Sequence, residues 1–170
     1  LVWTDRMLAA LESGVKGGKW FSLKDKVHAR RTLARAWHIV KGRGGSGGVD
    51  RVSLKQYESQ LDQRLASLER KLKTGRYEPK PVKRVFIPKA GGKGKEKRPL
   101  GIPTVEDRIV QTALQLVVGP IFEIGFSAHS YGFRPKRGCK DALREVSGLL
   151  GKGREWIVDA DLKSYFDTID

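Results

Sequence analysis

Val82-Lys83-Arg84-Val85-Phe86-Ile87-Pro88 and, eight residues further on, Lys97-Arg98-Pro99-Leu100-Gly101-Ile102 are the runs on which the fold turns. β-Branched and aromatic residues bounded by Pro and Gly favour extended backbone. The glycine-lysine stretch Ala90-Gly91-Gly92-Lys93-Gly94-Lys95-Glu96 between them predicts the loop of a β-hairpin. Helical spacing dominates on both sides, so the expected fold class is α+β. We find no internal repeat.

Upstream, Ser53-Leu54-Lys55-Gln56 has capping-box spacing. Leu54, Tyr57, Leu61, Leu65, Leu68 and Leu72 then recur at threes and fours, which predicts an amphipathic helix that stops at Gly75. Its leucine stripe is read as core packing. Residues 22–41 predict another helix, opened by Ser22 and ended at Gly42. Between the two helices, Gly42-Arg43-Gly44-Gly45-Ser46-Gly47-Gly48 holds five glycines in seven positions and predicts a flexible connection. It lacks the Gly-Lys-Ser/Thr of a nucleotide-binding P-loop.

Downstream, Thr104 caps a helix expected to run to about Val118, with Glu106 and Asp107 where the helix dipole favours acids and Pro120 helping to end it. An irregular aromatic-bearing loop is expected over 126–138 and a helix over 139–150. Trp156-Ile157-Val158 predicts a buried strand delivering Asp159 and Asp161 to one face. Two acids sharing a face are costly to ionise together unless a cation sits between them, so this strand end suits a hard divalent metal. A solvated acidic turn is the plain alternative.

The formal charge of +15 and sequence pI near 10.1 imply a polyanionic partner, nucleic acid first and an acidic membrane surface second. Between Lys71 and Arg108 lie twelve basic residues against four acids, which puts over half the surplus on or beside the hairpin. For Lys93, Lys95 and Lys97 a solvated loop is as good a reading as contact, whereas Lys89 and Arg98 adjoin strands that would hold them in place. Cys139 is the only cysteine, so neither an intramolecular disulfide nor a cysteine zinc site can form, which fits a reducing cytoplasm. No apolar stretch approaches the roughly 20 residues of a membrane span, and no membrane partner is expected. His28, His38 and His129 are read as surface or packing residues, and the four tryptophans as core anchors. Leu1 is not an initiator Met, so both ends are expected to be cuts within a longer protein.

These runs resemble a known family. Pro81 to Lys89 and then Lys97-Arg98-Pro99-Leu100-Gly101-Ile102-Pro103-Thr104-Val105-Glu106-Asp107-Arg108-Ile109-Val110-Gln111 look like the fingers of group II intron reverse transcriptases. Ser130-Tyr131-Gly132-Phe133-Arg134-Pro135 resembles their next block. Asp159-Ala160-Asp161-Leu162-Lys163 through Phe166-Asp167 resembles the first catalytic block of the palm. Gly47-Gly48-Val49-Asp50 and the helix after it are similar to the N-terminal extension. The likeness covers about residues 35–170.

The resemblance implies a fragment of a right-hand polymerase in three parts. Residues 1–75 would be the N-terminal extension and a helical fingers segment, 76–125 the fingers with the basic hairpin and a helix, and 126–170 a fingers-to-palm segment that contains the first palm strand and ends in the truncated first catalytic aspartate motif. It implies RNA-directed DNA synthesis by a nucleotidyltransferase of a mobile genetic element, joined to a maturase role in splicing. Implied partners are template and intron RNA, a DNA or RNA primer, and dNTP; a homo-oligomer is left open. Two Mg2+ ions would serve the complete active site. Asp161 would be the catalytic aspartate and a metal ligand, with the Leu162 carbonyl as a further ligand and Asp159 in support. Lys89, Arg108 and Phe166 would contact the incoming nucleotide, and Lys83, Arg84, Arg98, Phe133 and Arg134 the template. The family's Tyr-x-Asp-Asp turn is absent, since no Asp-Asp occurs in this sequence, and the chain by itself is expected to be inactive. The competing reading is a non-catalytic RNA-binding maturase that retains the fingers; a ribosomal-type basic protein would explain the charge but not the acidic strand end.

Overall fold

The computed structural model describes residues 2–13, 22–88 and 97–162. The chain divides into two compact units, residues 1–125 and 126–170. The first contains helices α1 (Asp5–Glu12), α2 (Leu23–His28), α3 (Arg30–Arg43), α4 (Leu54–Glu58) and α5 (Leu61–Lys73), strands β1 (Lys83–Pro88) and β2 (Lys97–Ile102), and α6 (Val105–Glu123). The second contains α7 (Cys139–Gly151). The mixed helical and antiparallel character expected from the sequence is therefore present.

The core of the first unit lies where α2 and α3 pack on α6 and α5. Leu33, Ala36 and Trp37 of α3, Leu65 and Leu68 of α5, and Ile109, Ala113 and Val117 of α6 are buried there, and Trp37 stacks on Tyr57 at 5.4 Å between ring centroids. Trp3 joins from the N-terminal side and donates its indole N–H to the Val117 carbonyl at 3.1 Å. The helix expected over 22–41 is two helices, because Ala29 takes an extended ψ of 131°. No Gly or Pro dictates that break. It turns the chain so that α2 and α3 both meet α6, an instance of packing overriding propensity. Ser53 and Gln56 form the expected capping box. The helix they open stops at Glu58 and resumes at Leu61, a break that buries Tyr57 together with Leu65 and Leu68.

Two further expectations change. Pro120 lies inside α6, which continues to Glu123. A proline so near a C-terminus removes one backbone bond of a turn that frays anyway, which is a smaller loss than in mid-helix. Residues 152–162 form no strand, and Trp156, Ile157 and Val158 are exposed, Trp156 at 98%. A strand exists by pairing, and the two described strands pair only with each other. The buried first palm strand expected at 156–161 is therefore corrected to an exposed, unpaired segment.

Candidate nucleic-acid interface

β1 and β2 pair antiparallel, with Lys83 opposite Ile102, Arg84 opposite Gly101, Ile87 opposite Arg98 and Pro88 opposite Lys97. Opposed residues share a face and neighbours alternate. One face therefore carries Lys83 and Arg98 with Val85, Ile87, Leu100 and Ile102. The other carries Arg84 and Lys97 around Phe86, which is 59% exposed. Of the predicted template contacts, Lys83 and Arg98 thus share one side of the ribbon and Arg84 lies on the other; all three are exposed. Cations beside an exposed ring suit a polyanion whose bases can stack.

The ribbon has little core of its own and is held at its feet by Asp107, read from the sequence as an acid favoured by the helix dipole. Asp107 is 5% exposed. Its Oδ1 accepts the Tyr77 hydroxyl, and its two carboxylate oxygens accept the Lys80 backbone N–H at 3.4 and 3.3 Å, just before β1. Oδ2 accepts the Thr104 hydroxyl at 2.6 Å, just after β2, while the Asp107 N–H donates to Thr104 Oγ1 at 3.1 Å. Burial, reinforced by the Asp107 bond, pushes the Tyr77 phenol well above its ordinary range, so it remains a donor. The spacing Thr104-x-x-Asp107 was the available signal, since it is a capping pattern.

The next residue grips the glycine segment. Arg108 donates from Nη1 to the Gly44 carbonyl at 3.1 Å and from Nη2 to the Ser46 carbonyl at 2.8 Å. Gly44 and Gly45 have φ of 71° and 102°, the left-handed region where glycine carries no steric cost. A Cβ on Gly48 would stand 2.6 Å from the Thr104 backbone nitrogen. The segment expected to be a flexible connection is instead packed against the start of α6. Beside it a cleft of about 300 Å³ is lined by Val40, Arg43, Arg108, Gln111 and Gln115 among others. Arg108, predicted to contact the nucleotide, lines this cleft with two guanidinium nitrogens already engaged. Lys89 and Phe166, the other predicted nucleotide contacts, lie outside the described residues.

In the second unit the 126–138 loop is organised by arginines. Arg134 donates to the carbonyls of Ser127 at 2.6 Å and Ser130 at 3.0 Å, and its guanidinium lies 5.3 Å from the Phe126 ring centroid. Arg137 donates to the Ala128 carbonyl and lies over Tyr131. Glu145 accepts the Tyr131 hydroxyl at 2.7 Å and pairs with His129 Nδ1 at 2.8 Å. The Tyr131 bond is the leading cause that holds the Glu145 carboxyl below its ordinary range, and in return it raises the phenol. Phe133, at φ 56°, is fully exposed. Thus of the two predicted template contacts here, the aromatic ring is free to stack and Arg134 fastens the loop that presents it. Asp161 and Leu162 are exposed in the unpaired segment. Among the described residues no group of three or more His, Cys, Asp and Glu is placed to hold a metal ion.

Residues 87–170 match the reverse transcriptase (RNA-dependent DNA polymerase) family. The chain is 44% identical over 143 residues to Protein YkfC of Escherichia coli, covering 81% of this chain and 37% of that protein. It is 39% identical over 109 residues to the group II intron-encoded protein LtrA of Lactococcus lactis, covering 64% of this chain and 18% of LtrA. Nuclear intron maturase 1, mitochondrial, of Arabidopsis thaliana is 32% identical over 68 residues, which cover 40% of this chain and 9% of the maturase. The chain thus spans little more than a third of YkfC and less of the other two. The motifs in order along one sequence, the match over residues 87–170 and these likenesses together make the chain similar to the group II intron reverse transcriptases and maturases.

Proposed function

We propose that the protein of which these residues form part is an RNA-directed DNA polymerase of group II intron type, which binds template RNA and incoming dNTP and also assists splicing of its intron RNA. The observation that carries this reading is the basic ribbon, with Lys83 and Arg98 on one face, Arg84 and Lys97 around Phe86 on the other, and both feet tied to α6. Cations on a two-stranded projection can neutralise a backbone from either side while the exposed ring stacks a base. In this reading Lys83, Arg84 and Arg98 track the template, Phe133 stacks beside the templating base with Arg134 holding its loop, and Lys89 and Arg108 approach the triphosphate. Phe166 lies under the incoming sugar and disfavours a 2′-hydroxyl. The three-part division at 75 and 125 and a cytoplasmic location belong to the same proposal; no helix among the described residues is long and apolar enough to cross a membrane.

Two Mg2+ ions are proposed for the complete centre, with Asp161 and the Leu162 carbonyl among their ligands. Carboxylate and carbonyl oxygens are the right donors for that ion. Among the described residues Asp159 and Asp161 are not joined by a third His, Cys, Asp or Glu, so the complete centre would draw further ligands from substrate phosphates and from the rest of the full-length protein. This chain alone is expected not to extend a primer.

Primer extension on an RNA template by the full-length protein tests the proposal. Asp161→Ala is expected to abolish synthesis with RNA binding preserved, and retained synthesis would overturn the catalytic assignment. Replacing Lys83, Arg84 or Arg98 by Ala should each flatten the salt dependence of single-stranded RNA binding by about 0.7 log units per log of salt for every phosphate that is no longer neutralised. Unchanged slopes in all three would remove the ribbon from the interface. The second reading, a binding-only maturase, is favoured by the likeness to proteins named intron maturases. RNA binding and splicing assistance by a wild-type protein that does not extend primers would select it.

A further inference from the structure

We infer that Asp107 is a positioning residue that sets the direction in which the basic ribbon stands. The sheet has only two strands, and β2 is exposed from Lys97 through Gly101. A lone hairpin of this kind is marginal in water, so its orientation must be imposed where it joins the rest of the unit. Both junctions end on one carboxylate. Lys80 N–H, three residues before β1, and the Thr104 hydroxyl, two residues after β2, are accepted by the same side chain, and the Tyr77 hydroxyl braces it from the approach to β1.

A buried carboxylate is expensive unless its lone pairs are used, and an apolar residue could have filled the space. What an apolar residue could not do is bind both feet at once. An ionised carboxylate only accepts, and its several lone pairs take donors from different directions. The other side of the Thr104 foot is closed by Gly48, whose missing Cβ lets the glycine segment lie against the backbone there. Arg108, adjacent on α6, holds that segment by two carbonyls. Consecutive residues of one helix therefore fasten the ribbon and the segment that wedges it.

Asp107→Asn keeps the shape but turns one acceptor into a donor facing hydroxyl or amide donors. In the full-length protein, hydrogen exchange at residues 83–88 and 97–102 should speed up by about tenfold, the scale of one lost charge-assisted bond, while the α3 amides stay protected. Thr104→Ser should retain wild-type exchange and Thr104→Val should resemble Asp107→Asn. Unchanged hairpin exchange, equal acceleration throughout α3, or Thr104→Ser behaving like Thr104→Val would overturn the inference. A second arm rests on the polymerase reading. There Asp107→Asn should raise the RNA-template KM about tenfold with kcat within about threefold, because the ribbon that tracks the template is misplaced and the reacting groups are intact. A fall in kcat at constant KM would count against positioning. A wild-type protein that never extends a primer sinks the polymerase reading, and the exchange arm then decides the role of Asp107 by itself.

Discussion

Tyr57 is 1% exposed, stacked on Trp37 and overlain by the Arg64 guanidinium at 5.1 Å, yet its hydroxyl has no hydrogen-bond partner among the described residues. A buried hydroxyl left unpaired costs free energy that its ring does not need. Tyr57→Phe should therefore raise unfolding stability by about 1 kcal/mol, measured by urea denaturation. A loss of stability would show that the oxygen is satisfied after all. Residue identity was also where the sequence was least informative. A single aspartate in a first helical turn looks the same whether it serves a dipole or two strand junctions, and Arg108 looks like any other cation of a basic region. Apart from the Thr104 hydroxyl three residues away, their partners lie 27 to 64 positions away in the chain.

The hairpin was legible at the scale of elements because its cause is local: branched and aromatic runs on either side of a glycine-rich stretch. The capping box at Ser53 was legible for the same reason. Segments whose conformation depends on neighbours were not. The glycine segment 42–48 has a flexible composition, but its glycines at 45 and 48 are there for close approach to Arg108 and Thr104. Gly48→Ala should accordingly cost about 1–3 kcal/mol, because the atoms it meets belong to backbone and cannot rotate aside. Gly42→Ala, with open space around it, serves as the control; equal thermal shifts for the two would refute the wedge. Residues 156–158 have strand composition with no described strand to pair with, so composition alone misjudged them.

Across the molecule, the surplus of positive charge announces a polyanion without saying where it binds. The first unit carries a pH response that the sequence does not display. Burial raises both Tyr57 and Tyr77 above the ordinary phenol value of 10.0. The folded state then keeps protons that the unfolded chain releases. Their contribution is complete below pH 10 and is lost as pH rises through the folded values. Stability of this unit should fall above pH 10 by at most about 1.4 kcal/mol per pH unit for each tyrosine. Denaturation between pH 9 and 11.5 checks this, and the Tyr57→Phe, Tyr77→Phe double variant should lose most of that slope. A slope unchanged by the substitutions would assign the effect to other groups.

From the sequence alone came the helical and hairpin elements, the clustering of cations on the ribbon and the ordered motifs of the family, since each depends on residues close together in the chain. Tertiary structure alone decided that one carboxylate joins both feet of the ribbon, that a glycine run is a wedge, and that Trp156 to Val158 lie exposed. Those outcomes depend on which distant backbone atoms come within hydrogen-bond or contact distance, and that is settled only when the helices pack.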